Sequence, residues 1–312
     1  MAENSGGGVR QFTKQARVGV IGAGRLGSSL AIALSRLGYN VTAASTRRAS
    51  HRSWLATQLP QAALSGDPQE VAADADVVFV TTSDGVIEQV CQAVNWRSDH
   101  AVVHCSGALP VDSLLHASKS GAAIGGFHPL QTFPSPEATD SFTGITFAVE
   151  SPDRELAEWL YSVARNLGGT PISITSEQRA AYHTAAVMAC GLLASLTGIA
   201  AEVWASTGGV SRAEAVAALT PLVKTTANWM GQKGLPEAVT GPYVRGDITT
   251  VRAHVEASSG VSEEHGAAYA ALALAGLHIA EEQGGLTPET GNRIRQILET
   301  ALRDCCEIIN RP

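Results

Sequence analysis

Cysteine is scarce in this chain and poorly placed for metal. Cys91, Cys105, Cys190, Cys305 and Cys306 are odd in number, and none stands in a C-x-x-C spacing. Neither a disulfide framework nor a thiolate metal site is indicated, so free thiols in a reducing cytoplasm are expected, with no metal. An excess of positive charge is also missing. Lys and Arg total 22 against 29 Asp and Glu, a net charge of −7. Bulk electrostatics therefore favours neither nucleic acid nor an anionic membrane. No G-x-S-x-G nucleophile elbow occurs, and no low-complexity linker or internal repeat. Met1 to Gln15 is polar and glycine-rich with no apolar core. It reads as a disordered tail over residues 1–15 rather than a signal peptide or anchor.

One long segment lacks charge altogether. Ala180 to Ala201 holds no Asp, Glu, Lys or Arg, and as a helix it would be long enough to span a bilayer. Its Ala, Gly, Ser and Thr content and His183 point instead to a central helix buried in a helical domain, at a dimer seam.

What is present is organised around Arg17 to Arg48. Val18 to Ile21 reads as a buried strand, Gly22-Ala23-Gly24-Arg25-Leu26-Gly27 as a turn, Ser28 to Leu37 as a helix and Asn40 to Ser45 as a second strand. In that context G-x-G-x-x-G is a dinucleotide-binding pattern. Gly22 permits the turn, Gly24 lets a pyrophosphate approach, and Gly27 lets the helix pack against the strand. The helix N-terminus favours the phosphates. The second strand ends in Ser45-Thr46-Arg47-Arg48. An NAD site usually carries an acid there for the ribose 2′-hydroxyl. Two guanidinium groups instead suit a 2′-phosphate, which predicts NADP(H).

The length of 312 residues suits two domains. Strand and helix alternate to about Ile174, which predicts a mainly parallel, doubly wound α/β Rossmann domain over residues 16–174. Ligands in such sheets sit at the carboxyl ends of strands, which selects Thr82, Ser83, Asp84, Ser106, Gly107 and His128 as candidate lining. From Ser176 the pattern is helical only, giving an all-helical domain over 175–312. Helices are expected at about 176–206, 212–232, 247–257, 262–283 and 288–309. Between two of them, Thr240-Gly241-Pro242-Tyr243-Val244-Arg245-Gly246-Asp247 forms a turn. Arg245 could clamp a substrate carboxylate or pair with an acid, and Asp247 could join it or cap the following helix. His128 and His183 are candidate proton donors, with a buried structural role as the alternative for each.

These segments together resemble a family. The glycine turn, Val103-His104-Cys105-Ser106-Gly107-Ala108, Gly126-Phe127-His128-Pro129-Leu130-Gln131-Thr132-Phe133, Tyr182-His183 and the Thr240–Asp247 turn are similar to the bacterial Rossmann-like proteins that carry the DUF2520 domain. That family is related to ketopantoate reductase, pyrroline-5-carboxylate reductase, 6-phosphogluconate dehydrogenase and 3-hydroxyisobutyrate dehydrogenase. The resemblance implies an NADP-binding domain followed by a helical domain of the 6-phosphogluconate dehydrogenase C-terminal type, often dimeric through that helical domain. The better-known relatives use a Lys with an Asn four residues later. Here His183 and Val187 stand in that region, so that pair does not transfer.

The resulting expectation is a cytoplasmic NADPH-dependent reductase of a small carbonyl compound, a 2-oxo acid such as ketopantoate. His183 or His128 would donate the proton and Arg245 would hold the carboxylate. The competing readings are reduction of a cyclic imine and a non-catalytic NADP-binding sensor or partner protein.

Overall fold

Short apolar and β-branched runs form the strands of one sheet: β1 (Val18–Ile21), β2 (Val41–Ser45), β3 (Ala63–Ser65), β4 (Val77–Val80), β5 (Ala101–His104), β6 (Ala123–Pro129), β7 (Thr146–Glu150) and β8 (Thr170–Ser173). The computed structural model describes residues 12–309. Contacts divide the chain into two units, Met1–Met188 and Ala189–Pro312.

In the first unit the strand order is β3-β2-β1-β4-β5-β6-β7-β8. All neighbours are parallel except β6 and β7. The central strands are buried on both faces. Phe79, Val103, Phe127 and Phe147 enter one core with Trp159, while Val78, Val80, Val102 and Ile124 enter the other. Alternate residues of one strand thus serve opposite layers, as in a sheet covered on both sides.

This is the expected Rossmann architecture with two local differences. β3 is only three residues long and partly exposed at the sheet edge, too short to leave an apolar pattern. β6 runs past Gly126 to Pro129 and pairs antiparallel with β7. A short 3₁₀ turn at Thr139–Phe142 is the one helical element between β6 and β7. Without a crossover helix the chain returns antiparallel.

The register places one residue from each strand in a row at the carboxyl edge. Ser45, Ile21, Val80, His104, Gly126 and Glu150 are successive partners from β2 to β7. The chain segments just beyond this row supply the site.

Residues 1–11 of the predicted tail lie outside the described residues. The rest of it is packed rather than disordered. Phe12 contacts Trp159, the Trp159 indole donates to the Thr13 carbonyl, and Lys14 lies over Tyr39. Cys91, Cys105 and Cys190 are free thiols.

In the second unit, helix Gly191–Ala205 packs against helix Arg212–Lys233. A separate core joins helices Ile248–Ser259, Glu263–Ala275, Leu277–Glu282 and Pro288–Ile309 through Val251, Ala270, Leu277, Ile294 and Leu298. The helix expected over 262–283 is interrupted at Gly276.

The uncharged segment differs from expectation. It forms two helices, Arg179–Ala189 and Gly191–Ala205, broken at Cys190. It is also not buried within the chain. Across Ser176–Ala205 the most apolar window has a mean hydropathy of 1.8, yet only 6% of it is buried. Met188, Leu192 and Trp204 are exposed at 57%, 54% and 43%.

Candidate functional site

The glycine turn builds the first part of the site. Gly22 has φ +88°, a conformation costly for other residues, and a side chain there would also strike Thr82. A Cβ at Gly27 would lie 2.3 Å from Thr81 Oγ1 and 2.8 Å from the Gly22 carbonyl oxygen. Gly27 is therefore what allows the helix to meet the sheet. At Gly24 the nearest atom would be 3.8 Å away, so that glycine leaves an open approach. Helix Arg25–Arg36 then starts with no side-chain cap and no acid in its first turn. Its N-terminal dipole is uncompensated and suits an anion.

These residues line a cleft of about 690 Å³. Gly22, Ala23, Gly24 and Arg25 form one wall, Ser45 to Arg48 a second, and Thr82 and Ser83 a third. Among the described residues no Asp or Glu lines it. Arg47 and Arg48 are exposed there, with no ion-pair partner among the described residues. Arg52 donates to the Thr46 and Arg47 carbonyls at 2.7 and 3.2 Å and so pins the loop that presents them. Thr82 Oγ1 is buried without a hydrogen-bond partner. The cleft thus fits a dinucleotide carrying a 2′-phosphate: an open glycine, a free helix terminus, unpaired cations and an orphaned hydroxyl.

Some expected lining residues stand elsewhere. Leu26 packs against the core. Asp84 is exposed in the first turn of helix Asp84–Ala93, outside the cleft. Ser106 is buried, and its hydroxyl accepts from the Ala108 and Leu109 amides at 3.1 and 3.0 Å. It shapes a turn. His51 and Thr81, which carried no sequence signal, do line the cleft, and His51 Nε2 lies 3.0 Å from Ser28 Oγ.

The second part lies beyond β5, β6 and β7. Arg179 is 1% exposed and ion-paired with Glu150. It also donates to the Ser106 carbonyl at 2.9 Å, and its other terminal nitrogen packs on Gly126. Glu150 also accepts from Ser176 Oγ. On the same helix, three and four residues later, Tyr182 and His183 share a face with Arg179. The Tyr182 hydroxyl is 2.7 Å from His128 Nδ1. The rings of His128 and His183 meet edge-on at 6.2 Å between centroids. Both press on Gly107: a Cβ there would lie 2.8 Å from His183 Nδ1 and 2.9 Å from His128 Nε2. His183 Nδ1 is buried with no partner.

Burial sets the charge state of this cluster. Desolvation, aided by His183 and Arg179, pushes the His128 imidazole down to about 4. Burial and the Arg179 cation push His104 down to about 3. Burial pushes the Tyr182 phenol up to about 12. Near neutral pH all three are uncharged. His104 Nδ1 accepts from the Ser106 amide at 3.2 Å, so its proton is on Nε2. His100 and His104 are four apart in sequence, but His100 directly precedes strand β5 and His104 ends it, roughly 13 Å away along extended chain, too far to share a ligand.

In the second unit, Asp247 accepts from the Thr250 amide and hydroxyl at 3.1 and 2.6 Å. Both its oxygens are engaged as the cap of helix Ile248–Ser259. Arg245 is exposed and makes no direct ion pair with Asp247.

Residues 2–129 match the model of a Rossmann-like domain, and residues 145–275 match that of the domain of unknown function DUF2520. The chain carries these two domains in this order, as its motifs implied. Among solved structures it is similar to "putative NADP oxidoreductase BF3122 from Bacteroides fragilis", with 25% identity and a TM-score of 0.67 over 85% of this chain and 99% of that one. It is similar to protein TM1727 from Thermotoga maritima at 23% identity and a TM-score of 0.68, over 85% and 99% of the two chains. It also shares its fold with 1-pyrroline-5-carboxylate reductase from Streptococcus pyogenes, at 15% identity and a TM-score of 0.54 over 93% and 100%. No curated protein matches the sequence. The second cluster draws on both matched segments, His104, Ser106 and His128 from one and Glu150, Arg179, Tyr182 and His183 from the other.

Two outcomes follow from this geometry. Gly27→Ala should lower unfolding free energy by about 1–3 kcal/mol through overpacking, whereas Gly24→Ala should leave the melting temperature unchanged and weaken dinucleotide binding. Calorimetry and cofactor titration separate the two. The second outcome concerns pH. His104 and His128 stay neutral where the unfolded chain takes up protons near 6.5. Stability should be flat with respect to these groups above that pH. It should fall as pH drops toward 4, by up to about 1.4 kcal/mol per pH unit for each imidazole. Denaturant unfolding of His128→Asn should show a shallower slope in this window. An unchanged slope would mean that His128 titrates normally.

Proposed function

We propose that the chain is an NADPH-dependent oxidoreductase that reduces a small carbonyl compound, a 2-oxo acid such as ketopantoate being the expected substrate. The observation that carries this reading is the arrangement along one sheet edge. An acid-free, cation-lined dinucleotide cleft at the ends of β1, β2 and β4 adjoins a neutral histidine–tyrosine cluster at the ends of β5 and β6. When bound, the cofactor supplies hydride; the protein's part is to hold it, orient the substrate and deliver a proton. Arg47 and Arg48 bind the 2′-phosphate, and Arg25 with the helix terminus binds the pyrophosphate. A neutral imidazole or phenol can donate to an oxygen that is becoming an alkoxide.

Carbonyl reduction is favoured over imine reduction by charge. An iminium substrate needs a nearby anion, and Glu150, the carboxylate of this cluster, is already held by Arg179 and Ser176. Arg245, exposed on its turn, is the group expected to take the substrate carboxylate.

The reading includes a cytoplasmic homodimer formed through the helical domain. Leu222, Trp229 and Met230 of helix Arg212–Lys233 are exposed at 62%, 45% and 44%. An apolar face of this kind calls for a partner. The break at Cys190 argues against a bilayer, where an interrupted helical ladder leaves backbone groups unpaired.

Titration of the wild-type protein should give tighter binding of NADPH than of NADH. Arg47→Ala should weaken NADPH binding about tenfold to a hundredfold, the value of one or two charge-assisted hydrogen bonds, with little effect on NADH. Preference for NADH in the wild type would overturn the cofactor assignment. Turnover of bound NADPH should appear with 2-oxo acids in a panel that also holds cyclic imines. Bound cofactor with no turnover anywhere in that panel would favour the non-catalytic reading. Sedimentation should show a dimer that Leu222→Glu dissociates; a monomeric wild type would remove the proposed seam.

A further inference from the structure

Tyr182 is in direct hydrogen-bond contact with one of the candidate proton donors. Its hydroxyl lies 2.7 Å from His128 Nδ1, with the two rings perpendicular and 5.5 Å apart. The opposite edge of His128, Nε2, lies against Gly107 at the end of β5. His128 thus presents one nitrogen to the phenol and the other to the strand-end turn that adjoins the dinucleotide cleft. We infer that Tyr182 and His128 form a proton relay, in which His128 Nε2–H protonates the substrate oxygen while Tyr182 reprotonates Nδ1.

The inference rests on the carbonyl-reductase reading. As the carbonyl carbon accepts a hydride from the reduced nicotinamide, its oxygen takes the Nε2 proton and the new O–H bond completes the alcohol. The Tyr182 O–H bond breaks and an Nδ1–H bond forms. The imidazole stays neutral and switches tautomer, and the negative charge rests on the phenolate. As Nδ1 returns its proton to the Tyr182 phenolate, Nε2 takes a proton from a solvent water, which leaves as hydroxide to bulk solvent; the imidazole stays neutral and the starting state is restored. The proton flow is downhill, because an alkoxide is a stronger base than a phenolate.

The surroundings fit this division of labour. An imidazolium donor is disfavoured by burial and by two facing groups, His183 and the Arg179 guanidinium. A neutral imidazole is a weak acid alone, so a second donor behind it is required for efficient transfer. The phenol is held neutral by burial, and Arg179, three residues earlier on the same helix, stabilises the phenolate once it forms. His104 is locked by the Ser106 amide and is not part of the relay. His183 Nδ1 packs on Gly107 and bounds the cluster on its other side.

Two readouts test the relay, and one does not depend on turnover. In ¹⁵N spectra of ring-labelled histidine, His128 of the wild-type protein should be the Nε2–H tautomer from pH 6 to 8, and Tyr182→Phe should alter its Nδ1 signal. Finding the proton on Nδ1, donated to the phenol oxygen, would overturn the relay whether or not the protein is a reductase. In kinetics, Tyr182→Phe should leave the NADPH dissociation constant unchanged and lower kcat about a hundredfold or more. Tyr182→Phe combined with His128→Gln should cost little more than the larger single effect. Full kcat in Tyr182→Phe would also overturn the relay while leaving the reductase reading intact. Should Tyr182→Phe fail to fold, fluorotyrosine at position 182 carries the same test. Its more acidic phenol should shift the alkaline limb of the kcat profile to lower pH, and an unmoved limb would refute the inference. Turnover of imines with no carbonyl reduced would refute the carbonyl reading itself, a result the tautomer measurement does not share.

Discussion

A guanidinium that is 1% exposed governs the layout of the first unit. An isolated buried charge costs several kcal/mol, and removing the partner of a buried pair costs about 3–5 kcal/mol. Arg179 therefore has to sit where Glu150 can reach its Nε and where the Ser106 carbonyl can accept from one terminal nitrogen, its other terminal nitrogen being buried without a partner. That position lies over the carboxyl edge of the sheet, against Gly126 of β6, beside Glu150 of β7 and within hydrogen-bond reach of Ser106 beyond β5. One side chain ties three strand ends to the start of a helix. The next two polar residues on that helical face are Tyr182 and His183, so the same constraint delivers both to His128 and Gly107. It also explains why helix Arg179–Ala189 belongs with the sheet and not with the helices that follow.

The row Ser45, Ile21, Val80, His104, Gly126 and Glu150 divides the edge by chemistry. On the β2 side, the chain leaves the sheet through glycine, serine, threonine and arginine, and the groups there are exposed and cationic. On the β6 side it leaves through histidine and glycine, and His104, His128 and Tyr182 are uncharged there beside the buried Arg179–Glu150 pair. Two glycines mark the close approaches. Gly27 lets a helix terminus meet β1 and β4, and Gly107 lets two imidazoles meet beyond β5. In the proposed reading a dinucleotide laid along such an edge would have its charged part over cations and its reactive end toward neutral donors, the order that hydride chemistry asks for.

Much of this was legible where the signal is local. The glycine turn, the absence of an acid after β2 and the apolar strands each show in a window of a few residues, and the residues of the cleft from Gly22 to Arg25 and Ser45 to Arg48 follow from them. The antiparallel step at β7 is also present in principle, since no helical pattern separates Gly126 from Ile145. Arg179 and Glu150 were hidden for a different reason. Each is an ordinary charged residue beside a helix start or a strand end, and only long-range register brings them together. Ser106 reads as a ligand at a strand end, and nothing nearby in sequence shows that its hydroxyl closes its own turn. The uncharged helix misled because composition reports how apolar a segment is and leaves open whether its cover comes from the same chain.

The proposed preference for a carbonyl substrate rests on charge, since a fold by itself does not fix a reaction. A cation-binding site for an iminium would show a carboxylate free to face it, and here Glu150 is spent on Arg179 and Ser176. Burial lowers His128 and raises Tyr182, so both are neutral together across the physiological range. Two neutral groups in contact exchange a proton without creating an isolated buried cation, which low dielectric surroundings would penalise. In the proposed reaction such a pair would serve a substrate that gains negative charge on oxygen as it reacts.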